Sequence, residues 1–201
     1  MIKNVPKVVF MGSGPFALVV FKFLLHMESI DLDLVITQPA RSVGRKKLLQ
    51  MTPVGKFAHS KNLKIVEAAN STQILESLDF SDVDLVVCVD YGVLLKQEVL
   101  DAPKFGIINI HPSLLPKYRG CSPLQAALRN GDAATGVVIQ KMVLAMDAGP
   151  IYSQQHYDLD SADDIESLAD TLANLACHDL EAVILGIVSN SLDPIEQEGA
   201  V

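Results

Sequence analysis

The chain has 201 residues, a formal net charge of −8, 49% hydrophobic residues and 20% charged residues. That length buries one substantial core but not two ordinary domains, and that balance excludes a disordered chain. An acidic chain is repelled by a nucleic-acid backbone unless its positive charge is gathered locally, as Arg41, Arg45, Lys46 and Lys47 gather it, and then Lys117 and Arg119.

No apolar run reads as long enough to cross a bilayer, and the N-terminus lacks a signal peptide's long apolar core. Cys88, Cys121 and Cys177 are odd in number and widely spaced, so they fit neither a zinc pattern nor a disulfide framework. We therefore expect a reducing, cytoplasmic setting with no metal and no membrane partner, and we take the chain to be a monomer.

In chain order, residues 8–11 form a short apolar run that stops at Gly12-Ser13-Gly14-Pro15, the mark of a strand buried on both faces. Apolar spacing predicts a helix over 16–27, and 32–37 reads as a strand ended by Pro39. Residues 38–52 are polar and basic and read as a loop. A helix is expected over 53–60, a short strand at 64–66 and a short helix at 72–78. The clearest buried strand is 84–89, followed by a helical turn at 94–100 and a strand at 106–111. A helix over 122–130 has Gly131 to cap it. Strands are expected at 136–142 and 151–155, and a long amphipathic helix over 163–188 has acids in its first turn. From 189 onward the chain is polar and rich in breakers and reads as a linker. Alternating strands and helices imply βαβ units: an α/β fold with an open, mostly parallel, Rossmann-like sheet flanked by helices.

Three stretches carry chemistry. The turn Gly12-Ser13-Gly14-Pro15, between strand and helix, points backbone N–H groups toward an anion site. It matches a dinucleotide fingerprint only in part: the third glycine position is Ala17, and no ribose-binding acid follows the second strand, which argues against NAD. Asn109 and His111 stand two apart in a strand otherwise made of Ile, so they share one face at the carboxyl end, where open α/β sheets place ligands. Buried polar groups there require partners. Asp147, in Met146-Asp147-Ala148-Gly149-Pro150, adds a carboxylate; with the amide and the imidazole it makes an acyl-transfer set. Ser113 and Cys121 lie near but in no nucleophile elbow.

The run Ile110-His111-Pro112-Ser113-Leu114-Leu115-Pro116-Lys117-Tyr118-Arg119-Gly120 closely resembles the signature of the folate-dependent formyltransferases. Two more stretches, Val9-Phe10-Met11-Gly12-Ser13-Gly14-Pro15-Phe16-Ala17 and the basic run 37–48, resemble the branch that acts on initiator methionyl-tRNA. The resemblance extends over nearly the whole chain. It implies formyl transfer from 10-formyltetrahydrofolate to methionyl-tRNA, in translation initiation. Asn109 and His111 would stabilise the oxyanion, and Asp147 would orient His111 and accept the amine proton. Asp90, Tyr91, Gly92, Val93 and Leu94, together with Ser113, Leu114, Leu115 and Pro116, would hold the folate, and Leu95 would extend its wall. Arg41, Arg45, Lys46 and Lys47 would reach the tRNA acceptor end.

This sequence departs from the pattern at Asp90, where the family usually has a small apolar residue, and in length. We read 1–188 as the catalytic domain and 189–201 as the start of an interdomain linker, with the tRNA branch's C-terminal domain absent. Weak tRNA affinity is then expected. The alternatives are a formyltransferase for a small amine, such as a nucleotide-linked amino sugar or glycinamide ribonucleotide, a folate- or tRNA-binding module without turnover, and a formyl-folate hydrolase.

Overall fold

The computed structural model describes residues 5–44 and 47–198. Among these described residues, nine strands and six α-helices follow in the order β1 (Lys7–Gly12), α1 (Pro15–Leu24), β2 (Asp31–Thr37), β3 (Arg41–Val43), β4 (Leu48–Gln50), α2 (Pro53–Ser60), β5 (Ile65–Glu67), α3 (Ser71–Ser77), β6 (Leu85–Val89), α4 (Gln97–Leu100), β7 (Ile107–His111), α5 (Pro123–Asn130), β8 (Ala134–Lys141), β9 (Ile151–Asp158) and α6 (Ile165–Val188). The main sheet runs β5-β2-β1-β6-β7-β8-β9. Its first five strands are parallel, and β8 and β9 extend it antiparallel. From β1 the chain builds outward to β2 and β5, then returns to the other side of β1 for β6 and β7. The switch point therefore lies between β1 and β6, where ligand crevices of open α/β sheets form.

Period-2 alternation sorts the apolar residues onto two cores. On one face Val8 and Phe10 of β1, Leu85 and Val87 of β6 and Ile108 and Ile110 of β7 meet α1, α2, α5 and α6. On the other, Val9, Met11, Val86, Cys88 and Ile107 meet the shorter α3 and α4. Helix α6 begins on Asp164, whose Oδ1 accepts from the Glu166 and Ser167 N–H groups, with Ser167 completing a reciprocal cap. It is long and apolar enough, by length and composition, to cross a membrane, contrary to the sequence reading. It covers the sheet instead, burying Leu168, Leu172, Leu180 and Ile184.

Three parts differ from expectation. Residues 38–52 contain the two-stranded hairpin β3–β4. Its strands have three residues each and are exposed, so no burial alternation marks them. Strand β9 runs to Asp158 because an edge strand alternates with solvent and reads as polar. The segment after α6 folds back onto the sheet: Ile195 bridges Ile151 antiparallel, with N–H to carbonyl distances of 2.7 and 2.8 Å in the two directions.

Candidate active site

Asn109 and His111 occupy the end of β7 on the face of Ile107. Across the antiparallel pair Asn109 faces Gln140, and His111 faces Val138. Gln140 is only 1% exposed, and its Nε2 donates to Asp147 Oδ1 at 3.0 Å. Asn109 Nδ2 lies 3.4 Å from the same oxygen, and the Gly120 N–H donates to Asp147 Oδ2 at 2.8 Å. His111 Nε2 donates to the Tyr118 carbonyl at 2.9 Å. Its Nδ1 is 3.7 Å from Asp147 Oδ2, too far for a hydrogen bond, and remains available to a reactant. Amide, imidazole and carboxylate thus lie within reach of one another, with Asn109 and His111 on the one strand face that their spacing implies.

The carboxylate is placed by a loop. Asp147 sits at φ 48° in the left-handed region, rare for a residue other than glycine. Gly149 then passes so close to β8 that a Cβ on it would lie 1.8 Å from the Lys141 carbonyl oxygen.

Two clefts lie beside these groups. One, of about 70 Å³, lies between Val93, Leu94 and Leu95 on one side and Met142, Val143, Leu144, Met146 and Asp147 on the other. Its mouth is apolar and exposed, with Leu94 at 78%, Leu144 at 67% and Met146 at 54%. The second, of about 210 Å³, is bounded by Phe16, Asp90, Ile110, His111, Cys121 and Leu124 among others.

Several expected folate contacts are placed elsewhere. Ser113 is fully buried, and its Oγ donates to the Lys117 carbonyl at 2.6 Å. Leu114 packs on Gly136, Leu115 is buried, and the exposed Pro116 follows a cis peptide bond; none of the four lines either cleft. Tyr91 points into the core, its hydroxyl donating to the Ala68 carbonyl at 2.7 Å, and Gly92 lines neither cleft. Asp90 lines the larger cleft, whereas Val93 and Leu94 line the smaller. Its carbonyl accepts from the N–H groups of Ser13 and Gly14 at 3.1 and 3.4 Å, so the Gly-rich turn does not present those two donors to an outside anion. Its Oδ2 rests on Gly14, where an added Cβ would approach to 1.7 Å, and loss of water there raises the Asp90 carboxyl above its ordinary range.

Arg41 and Lys47 are exposed on the β3–β4 hairpin, while Arg45 and Lys46 lie outside the described residues. The hairpin follows Gln38, whose Nε2 donates to the Tyr91 carbonyl at 2.5 Å. The sequence reading missed Gln140 and the wall 142–146. A lone Gln in the apolar strand 136–142 was the signal for the first, and Val143-Leu144-Ala145-Met146 leading into Asp147 for the second.

Residues 6–184 match the formyl transferase family. The chain belongs to that family. It is 41% identical over 191 residues to a methionyl-tRNA formyltransferase of Mesoplasma florum, covering 95% of this chain and 61% of that protein. It is 37% identical over 197 residues to the methionyl-tRNA formyltransferase of Staphylococcus epidermidis strain ATCC 12228, covering 97% and 63%. The chain therefore spans about three-fifths of the length of these curated relatives. Its fold is also that of solved formyltransferases. A phosphoribosylglycinamide formyltransferase from Bacillus halodurans superposes with a TM-score of 0.73 at 21% identity, covering 92% of this chain and 96% of that one. An N-formyltransferase from Helicobacter canadensis, solved with folinic acid and dTDP-3-aminofucose, gives 0.72 at 18%, covering 96% and 68%. In this formyl transferase chain, Asp147 lines the smaller cleft, His111 lines the larger, and Asn109 reaches Asp147 from β7.

Proposed function

We propose that this chain transfers the formyl group of 10-formyltetrahydrofolate to the amino group of initiator methionyl-tRNA. The observation that carries the reading is that Asp147, in the lining of an apolar slot, and His111, in the lining of a wider, more polar cleft, approach to 3.7 Å, with the Asn109 amide beside Asp147. A two-substrate acyl transfer needs that arrangement, with donor and acceptor approaching one set of groups from opposite sides. The slot turns apolar surface of Leu94, Leu144 and Met146 toward the faces of a flat heterocycle, with Gln140 and Asp147 at its polar end, and at about 70 Å³ it must widen to admit one.

As the amine attacks the formyl carbon, that oxygen gains negative charge. Asn109 Nδ2 donates to it, and so does His111 Nδ1 in the imidazolium form, since Nε2 already donates to the Tyr118 carbonyl; each such donor is worth about 3–4 kcal/mol in comparable sites. Asp147 holds the Asn109 amide close by and takes the proton that the attacking nitrogen loses, directly or through one water. The carbon–nitrogen bond to the folate then breaks, and the leaving nitrogen receives the proton that Asp147 took from the amine.

Two features favour a tRNA acceptor over a small phosphorylated amine. The first is that the Asp90 carbonyl already holds the Ser13 and Gly14 N–H groups, and its carboxylate lies on the same turn and repels an anion there. The second is the hairpin β3–β4, which extends Arg41 and Lys47 beside exposed Val43, Leu48 and Leu49; we assign it, with Arg45 and Lys46, to the acceptor stem. The similarity to the two methionyl-tRNA formyltransferases supports the same acceptor. Incubation with 10-formyltetrahydrofolate and charged initiator tRNA should yield N-formylmethionine. Formylation of a nucleotide-linked amino sugar or glycinamide ribonucleotide alone would replace this acceptor, and release of formate without an amine would make the chain a hydrolase.

A further inference from the structure

The segment after α6 reaches the catalytic loop through one side chain. Gln197 Nε2 donates to the backbone carbonyls of Asp147 at 2.9 Å and Gly149 at 2.7 Å, and lies 3.4 Å from Gln140 Oε1. Its Oε1 accepts from Arg119 Nη2 at 2.6 Å. Arg119 adjoins Gly120, whose N–H holds the Asp147 carboxylate. A single amide therefore joins the two loops that grip this carboxylate, 117–121 and 142–150. The contact is anchored two residues earlier by the paired bonds of Ile195 with Ile151, and before that by Leu192 over Gly186.

We propose that Gln197 is a positioning residue for the transfer reaction, acting through the backbone on either side of Asp147; this rests on the functional reading above. Three observations require such a hold. Asp147 has a left-handed backbone that a non-glycine residue leaves readily unless its neighbours fix it. The carbonyls of 147 and 149 both converge on the Gln197 amide. The Arg119 guanidinium has a buried Nε without a partner among the described residues, so removing Gln197 takes a partner from a group that is already short of one there. The tail thus completes the site rather than merely leading away from it.

The test compares Gln197→Ala and Gln197→Glu with the parent chain. Glu keeps the acceptor for Arg119 but sets a carboxylate against two carbonyls. Both variants should lower kcat about tenfold or more while KM for the folate stays within about threefold, since misplacement by an ångström slows chemistry more than binding. Amide hydrogens in 143–149 should exchange about tenfold faster, with those of β6 and β7 unchanged. Transfer within twofold of the parent, or unaltered exchange in 143–149, overturns the proposal. So does an activity loss that follows a general loss of protection in β6 and β7, which marks a structural role. A parent chain that transfers formyl to no amine refutes the functional reading instead, and the exchange comparison then decides the role of Gln197 alone.

Discussion

Asn109 and His111 ride on a strand hydrogen-bonded on both sides, while the carboxylate between them hangs on a loop. Strand β7 is paired with β6 and β8, and its alternate residues Ile108 and Ile110 are buried in the larger core. The loop from 142 to 150 has no such ladder. It depends on close approach at Gly149, on the Gln140 and Gly120 donors, and on the tail. The pair on the strand is placed by the same packing that stabilises the protein; the carboxylate is placed by polar contacts with little to do with global stability. Rate and stability should therefore separate between the two regions.

The strongest test of that separation removes the groups themselves. Asn109→Ala and Asp147→Asn should each slow transfer about 10²–10³-fold, or roughly 3–4 kcal/mol, with the circular dichroism spectrum unchanged. Transfer within threefold of the parent in either variant breaks the site assignment. Next in size is Gly149→Ala. The added methyl meets the Lys141 carbonyl, so the loop must move while the core stays intact. A loss of about tenfold in kcat with little change in melting temperature is expected. The mirror experiment is Ile108→Val, which trims a residue 1% exposed beneath the strand. It should lower stability by about 1 kcal/mol, a melting shift of about 2–4 °C, and leave kcat near the parent value. If Gly149→Ala melts early or Ile108→Val slows transfer, the two regions are not separable.

The same contrast explains what the sequence disclosed. Asn109 and His111 were legible because two polar residues at same-face positions in an Ile strand demand partners. Asp147 was legible only in their company, since an Asp before a Gly is usually a turn residue. Gln140, which holds it, lies 31 positions from Asn109, and only the antiparallel register brings them opposite. Ser113, Leu115 and Tyr91 sit in a recognisable motif, but their side chains serve the fold, by hydrogen bonds to Lys117 and Ala68 and by burial. Gln197 was invisible: in a polar segment with breakers, nothing local distinguishes a side chain that docks from one that does not. The hairpin at 41–50 was missed for a related reason, because strands exposed on both faces carry no burial pattern.

Cysteine labelling probes the ordered side of the comparison. Burial, with the Asp90 and Asp147 carboxylates nearby, pushes the Cys88 thiol up to about 12, and burial takes Cys177 to about 11. Cys121 is exposed. Because the thiolate is the reactive form, only Cys121 should be alkylated in native protein at pH 8, the others following on denaturation. Rapid native labelling of Cys88 would mean that the sheet opens beside the site.

The smallest effect belongs to Asp90, at the junction of the two regions. Its backbone is left-handed, at φ 43°, and its carboxylate lies against Gly14. Lost hydration raises its pKa in the folded state, so ionisation disfavours folding above the ordinary carboxylate range. The penalty vanishes once pH falls below that range and both states are protonated. Asp90→Asn should therefore raise the melting temperature at pH 7–8, by only about 1–2 °C because solvent on the exposed side of the residue screens the charge. The gain should disappear near pH 3–4. Asn also adopts left-handed backbone more easily than most residues. A gain that persists at low pH would assign the effect to backbone comfort, and the carboxylate would then be at ease on the Gly-rich turn. That outcome would also weaken the case against a phosphorylated acceptor, since the same charge on the same turn is what repels a phosphate.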